Sequence, residues 1–237
     1  MANRLLPFRQ YDENDVINLF ANAAADANPT TDGNGSAGVF VSVQAGDFNK
    51  DPVTYVNRTE LGASYDHTKN QYPEVQLKVA AAAVAAKAGE VIGITLKQTI
   101  EADENGEKLL YNPVKKDELQ AVLSGQAVPI ATRGIFTLTD SAVDNALTST
   151  FPSPGQACVM SPATAGKVSG IAFDTLYGDW DGATNTTTGA KFAVGGVEVI
   201  YSLGHVLGTW LGTGTRSSIG PVTDAYAGTY GVLKLNL

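Results

Sequence analysis

Short runs in which β-branched or aromatic residues alternate with others, each closed by glycine or proline, recur along this chain and constrain its fold more than any other feature. Val39, Val41 and Val43 alternate with Phe40 and Ser42, and Val53 and Tyr55 with Thr54 and Val56. Val75, Leu77 and Val79 carry the period into an alanine tract, whose state stays open between helix and strand because Pro73 and Gly89 hem a helix-favouring composition. Gly89 then opens a strand over Val91-Ile92-Gly93-Ile94-Thr95-Leu96. Ala127-Val128-Pro129-Ile130-Ala131 and Gly134-Ile135-Phe136-Thr137-Leu138 read as two more, the first placed at a sheet edge because Pro129 has no N–H to donate. Residues 157–161, 167–174, 191–200, 203–211 and 229–236 supply further runs. With 25 glycines and no alternation of strands with long helices, the class is mainly β. The expected architecture is a β-barrel or sandwich with short helical decoration.

Two segments break the period of two. Residues 1–11 show neither helical nor strand spacing and read as an extended arm; Asp12 then caps a predicted helix to about Ala21, with Val16, Leu19 and Phe20 on one face. Asp26 to Gly38 has the composition of a linker, so 1–38 is set apart from a β-rich domain over 39–237. Lys116 to Gly125 is the second predicted helix, with Leu119, Val122 and Leu123 on one side. Between Glu101 and Glu107, Asn105-Gly106 marks a hairpin turn or loop.

Charge and cysteine content narrow the function. The formal net charge is −8, and no basic cluster exceeds Lys115-Lys116, which argues against nucleic acid and anionic membranes as partners. Cys158 is the one cysteine, so the chain forms no internal disulfide, as suits a reducing cytosol. The first fifteen residues lack a secretory apolar stretch, and the tract Val79 to Ala86 is too short to span a bilayer, so a soluble protein is expected. The sequons at Asn57 and Asn185 then have no meaning beyond chance.

Catalytic chemistry finds little to build on. His67 and His205 have no partner at metal-ligand spacing, and His205, between apolar residues, is expected to be buried or at an interface. No Gly-x-Ser-x-Gly elbow occurs. Gly33-Asn34-Gly35-Ser36-Ala37-Gly38 matches a dinucleotide pattern, yet a loop precedes it and a strand follows, so no helix dipole faces a pyrophosphate. Asp103-Glu104-Asn105-Gly106 and Asp179-Trp180-Asp181-Gly182 resemble the start of calcium loops without the distal glutamate, and read as solvated turns. The expectation is therefore no enzyme, no cofactor and no metal.

Binding fits better. Arg4, Phe8, Arg9 and Tyr11 combine planar cations with aromatic area, as at interface anchors, the alternative being an arm folded back on its own domain, and the helix face of Val16, Leu19 and Phe20 wants a partner surface. Gly204 to Gly220, with Trp210 and Arg216, reads as a surface loop pair, although Trp210 suits a core equally well.

Three strings carry a family resemblance: Gly89 to Leu96, Leu123-Ser124-Gly125-Gln126-Ala127-Val128-Pro129-Ile130-Ala131-Thr132-Arg133-Gly134-Ile135-Phe136, and the closing Gly228 to Leu237. With the opening Arg4-Leu5-Leu6-Pro7-Phe8-Arg9-Gln10-Tyr11 to Phe20, the chain resembles capsid decoration (cement) proteins of tailed bacteriophages and is similar to virion structural proteins of cyanobacterial phages. The resemblance implies a β-rich, barrel- or tulip-like domain on the outer face of the assembled major capsid shell, made in the host cytoplasm. Such a domain commonly docks as a homotrimer and bridges neighbouring capsomers against internal pressure. Residues 140–228 lie outside the resemblance and leave room for an inserted, exposed subdomain. Arg4, Phe8, Arg9, Tyr11, Val16, Leu19 and Phe20 are then the capsid-binding candidates, and a chain starting near Gly38 is expected to stay soluble but bind weakly. The alternative is an adhesion or carbohydrate-binding protein on the capsid or tail.

Overall fold

The computed structural model describes residues 4–20, 35–43, 77–82, 91–100, 102–103, 105–123, 126–145, 147, 150–177, 190–194, 197–201, 203–218 and 227–237. Expectations for the strand at 53–56, His67, both sequons, residues 179–182 and most of the alanine tract and linker lie outside the described residues. The strands are β1 (Leu5–Gln10), β2 (Val16–Phe20), β3 (Phe40–Val43), β4 (Leu77–Val79), β5 (Val91–Thr95), β6 (Gln98–Thr99), β7 (Ala121–Val122), β8 (Ala127–Ala131) and β9 (Arg133–Thr139). They continue as β10 (Ala157–Met160), β11 (Val168–Ile171), β12 (Ala190–Val194), β13 (Val197–Tyr201), β14 (Gly208–Arg216) and β15 (Gly228–Asn236), with short helices α1 (Pro113–Glu118) and α2 (Phe173–Tyr177). The fold is mainly β.

Two antiparallel sheets dominate, one of six strands in the order β1-β9-β15-β14-β10-β11 and one of five in the order β2-β8-β5-β3-β4. Their facing residues meet in one core: Phe40, Ile94 and Ala131 from the smaller sheet pack with Phe136, Leu138, Cys158, Met160, Trp210, Leu233 and Leu235 from the larger. Alternation puts Val41, Val79, Val128 and Ile130 on the opposite face of the five-stranded sheet in a second cluster, so that sheet is buried on both sides. The architecture is a sandwich rather than a closed barrel. Among the described residues each sheet ends in edge strands, because the chain turns from one sheet into the other at sharp corners.

Two such corners are stapled together. Only Thr132 separates β8 from β9, and its N–H and Oγ1 both donate to the carbonyl of Asp15, at 2.9 and 3.0 Å, in the turn between β1 and β2. Thus β1 pairs with β9 and β2 with β8, and residues 5–20 form the edge of both sheets on one flank.

Several local expectations change. Residues 16–20 form a strand, not the helix expected from Asp12: Val16 packs toward the shared core and Leu19 into the second cluster, a two-faced burial that mimics helical spacing over five residues. Asp12 does cap, but it caps a single 3-10 turn at Glu13–Asp15, where its side chain accepts from the Asn14 N–H. The arm is extended as expected, yet hydrogen-bonded to β9. Pro129 lies in the second strand of its sheet rather than at the edge. Its carbonyl accepts from the Leu96 N–H just past the end of β5, so the missing donor falls where that ladder runs out. The helix expected from Lys116 instead begins at Pro113, with the Asn112 side chain accepting from the Lys115 N–H, and Ala121–Val122 pairs in parallel with β6. Trp210 is fully buried, which settles it as core.

Candidate functional site

Seven residues of the N-terminal flank were expected to contact a partner, and the structure separates them. Arg4 and Leu19 are buried. The Arg4 carbonyl accepts from the Thr139 N–H, and Gly38, at φ +89°, packs so closely that an added Cβ would sit 3.1 Å from the Arg4 Cβ. Val16 packs against the shared core, and Phe20 pairs with Ala127 as the last residue of β2. Arg4 and Leu19 are thus buried within the fold, and Val16 is half-buried against its core.

Phe8, Arg9 and Tyr11 remain at the surface of β1. Between Leu5, opposite Leu138, and Arg9, opposite Phe136, four steps of β1 face only two of β9, so the strand bulges at residues 6–8. Pro7 sits in the bulge, and Phe8 is thrown outward with 62% of its surface exposed. The Arg9 guanidinium holds this shape: its Nε donates to the Leu6 carbonyl at 3.2 Å and its NH1 to the Leu96 carbonyl, at the end of β5, at 3.4 Å. Arg9 therefore ties the bulge of one sheet to a strand end of the other. Tyr11 lies nearly parallel to the buried Phe136, with ring centroids 5.9 Å apart, and keeps 42% of its surface exposed. Gly134, at φ +137°, permits this, since a Cβ there would meet the Gln10 carbonyl at 2.7 Å and the Tyr11 Cβ at 2.8 Å.

Beside β1 runs an open groove of about 560 Å³, lined by Pro7, Arg9, Gln10, Tyr11 and Gln120. Its lining includes a residue that sequence reasoning did not single out. Gln120 follows α1 with φ +49°, the one non-glycine residue at positive φ among the described residues. Glycine is the usual choice there, so no sequence signal marks a glutamine in that conformation. Because Gln98 Nε2 donates to the Leu119 carbonyl at 2.6 Å and the Gln98 N–H to the Gln120 carbonyl, the helix end is anchored against β6.

The other polar cluster lies near β10 and β11. Ser161, fully buried, donates from Oγ to Asp144 Oδ2 at 2.5 Å and accepts from the N–H groups of Ala163 and Thr164. Tyr201 donates to the Met160 carbonyl at 2.7 Å, and the half-buried His205 ring meets Tyr201 edge to face. Burial first, and the negative charge of Asp144 second, push the Tyr201 phenol above its ordinary range; burial alone does the same to the Cys158 thiol. The Ser161 hydroxyl is fully buried and its lone pairs hold two backbone amides. This arrangement fixes a turn.

Residues 35–38 form a turn leading into β3, and Asp103 Oδ1 accepts from the N–H groups of Asn105 and Glu107 in a closed hairpin turn. Among the described residues no three His, Cys, Asp or Glu side chains are placed to hold a metal ion. No helix among them is long and apolar enough to cross a membrane. No family model, curated protein or solved structure matches the chain.

Proposed function

We propose that the chain is a structural virion protein that binds the outer surface of an assembled capsid shell and bridges neighbouring capsomers, docking as a homotrimer. The resemblance at both ends supplies the partner, and one observation supports the mode of contact. The flank formed by β1 and β2 presents Phe8 and, on β2, Ile17 at 37% exposure, on a surface where both sheets have an open edge. Phe8 stands on a bulge pinned by Arg9, so little ordering opposes its insertion into a pocket of the shell. An aromatic anchor of this kind contributes about 2 kcal/mol or more when it is central and desolvated.

The test is cosedimentation of the full chain with purified, undecorated shells. The proposal expects many copies per shell at saturation and an affinity weakened at least roughly thirtyfold for Phe8→Ala, corresponding to about 2 kcal/mol. Absence of shell binding, or a few copies confined to the tail of intact particles, contradicts it; the latter is the behaviour of an adhesion protein.

A further inference from the structure

The groove between β1 and the end of α1 has a lining unlike the rest of the flank. Among the described residues it offers one aromatic face, two primary amides and one guanidinium, and no carboxylate. It is an open depression of about 560 Å³ with a mainly polar lining, so a ligand would lie on it rather than be enclosed. We propose that this groove binds a neutral saccharide, with the ring of Tyr11 as its platform.

Each part of the lining matches a part of a sugar. A pyranose carries an apolar face of C–H groups and a rim of hydroxyls, so it pairs with an exposed aromatic face bordered by groups that both donate and accept. Tyr11 provides that face in a fixed orientation, because its ring rests on the buried Phe136 and its backbone is held over Gly134. Gln10 and Gln120 both line it, each able to donate and accept, while Arg9 is held in place by two carbonyls. The chain also keeps a side chain at Gln120 where positive φ makes glycine less costly. The net charge of −8 repels acidic polysaccharides at a distance, which selects a neutral ligand. An extended peptide is a poorer match: Pro7 and the bulge interrupt the edge of β1 that strand addition requires.

Nuclear magnetic resonance titration of the isolated full chain tests this without reference to shells. The probes are neutral trisaccharides of glucose, galactose, mannose and N-acetylglucosamine, a trigalacturonate, and a glutamate-containing proline-rich peptide. At least one neutral trisaccharide is expected to shift the Tyr11 and Gln120 resonances, and Tyr11→Ala is expected to abolish the shift. Gln120→Gly is expected to weaken binding several-fold while leaving the melting temperature unchanged or raised, which separates a lost contact from a damaged fold. The proposal is overturned if no neutral sugar perturbs these residues, if binding survives both substitutions, or if the trigalacturonate or the peptide binds more tightly than every neutral sugar.

Discussion

The six-stranded sheet closes one of its edges and leaves the other open. At β11 the edge is covered: Val168 to Ile171 are all buried, and Ile171 packs with Leu176 of α2 and with Tyr201. Buried hydroxyls there point inward, Ser161 to Asp144 and Tyr201 to the Met160 carbonyl. At β1 no described strand covers the edge, and it is interrupted by Pro7 and a bulge, carries an exposed Phe8, and borders a groove. An uncovered edge invites unplanned pairing, and proline and bulges are the usual means of preventing it. The contrast shows that the flank of β1 is open without being adhesive along its backbone, so recognition there falls to side chains.

The largest effect that breaks this comparison is removal of the flank. A chain starting at Gly38 loses the buried side chains of Leu5 and Leu19, both strands of the flank and the staple to Thr132. It uncovers β9 and β8 as long, unprotected edges. The expectation from sequence that such a chain stays soluble is therefore reversed: loss of Leu5 and Leu19 alone costs about 4 kcal/mol or more, and the truncated protein should aggregate on expression. A soluble product with a cooperative melting transition would place the stability of the sandwich elsewhere.

On the closed side, Ser161→Ala removes the hydroxyl shared by Asp144 and two backbone amides and should destabilise the protein by about 2 kcal/mol in urea unfolding. A further effect appears with pH. Tyr201 and Cys158 are both held neutral above their ordinary values of about 10 and 9. Their contribution to stability is complete below the unfolded-state values and is lost as the pH rises above them, at up to about 1.4 kcal/mol per pH unit for each group. Unfolding measured from about pH 8 to 11 should show this decline, and Tyr201→Phe and Cys158→Ala should each make it shallower. An unchanged slope in both variants would mean that neither group stays protonated by burial. The smallest effect belongs to Phe8→Ala, which should alter stability by less than about 0.5 kcal/mol because the side chain touches mostly solvent.

Much of the fold was legible because strand period is a local property. Val91 to Leu96, Ala127 to Ala131 and Gly134 to Leu138 coincide with β5, β8 and β9 to within a residue or two, and Asn105-Gly106 lies in a closed turn. The N-terminal flank was misread because Val16 and Leu19 enter two different cores, an arrangement that only a sheet buried on both faces produces. Pro129 was misplaced for a similar reason, since the end of β5 beside it is a tertiary fact. Of the flank residues, Phe8 and Tyr11 were legible as exposed aromatics. The inward roles of Arg4 and Arg9, the distant partnership of Ser161 with Asp144, and the conformation of Gln120 follow from contacts that no spacing rule records.

Hydrogen–deuterium exchange on the full chain, free and added to purified undecorated shells, compares the two edges directly. In the free protein, amides at the bulge of β1 should exchange much faster than those of β10 and β11. On the shell, residues 5–8 and 16–20, around Phe8 and Ile17, should gain protection while β10 and β11 stay unchanged. Protection that appears at β11 instead, or no change at β1 under conditions where the chain sediments with shells, would contradict the claim that the open edge is the docking edge.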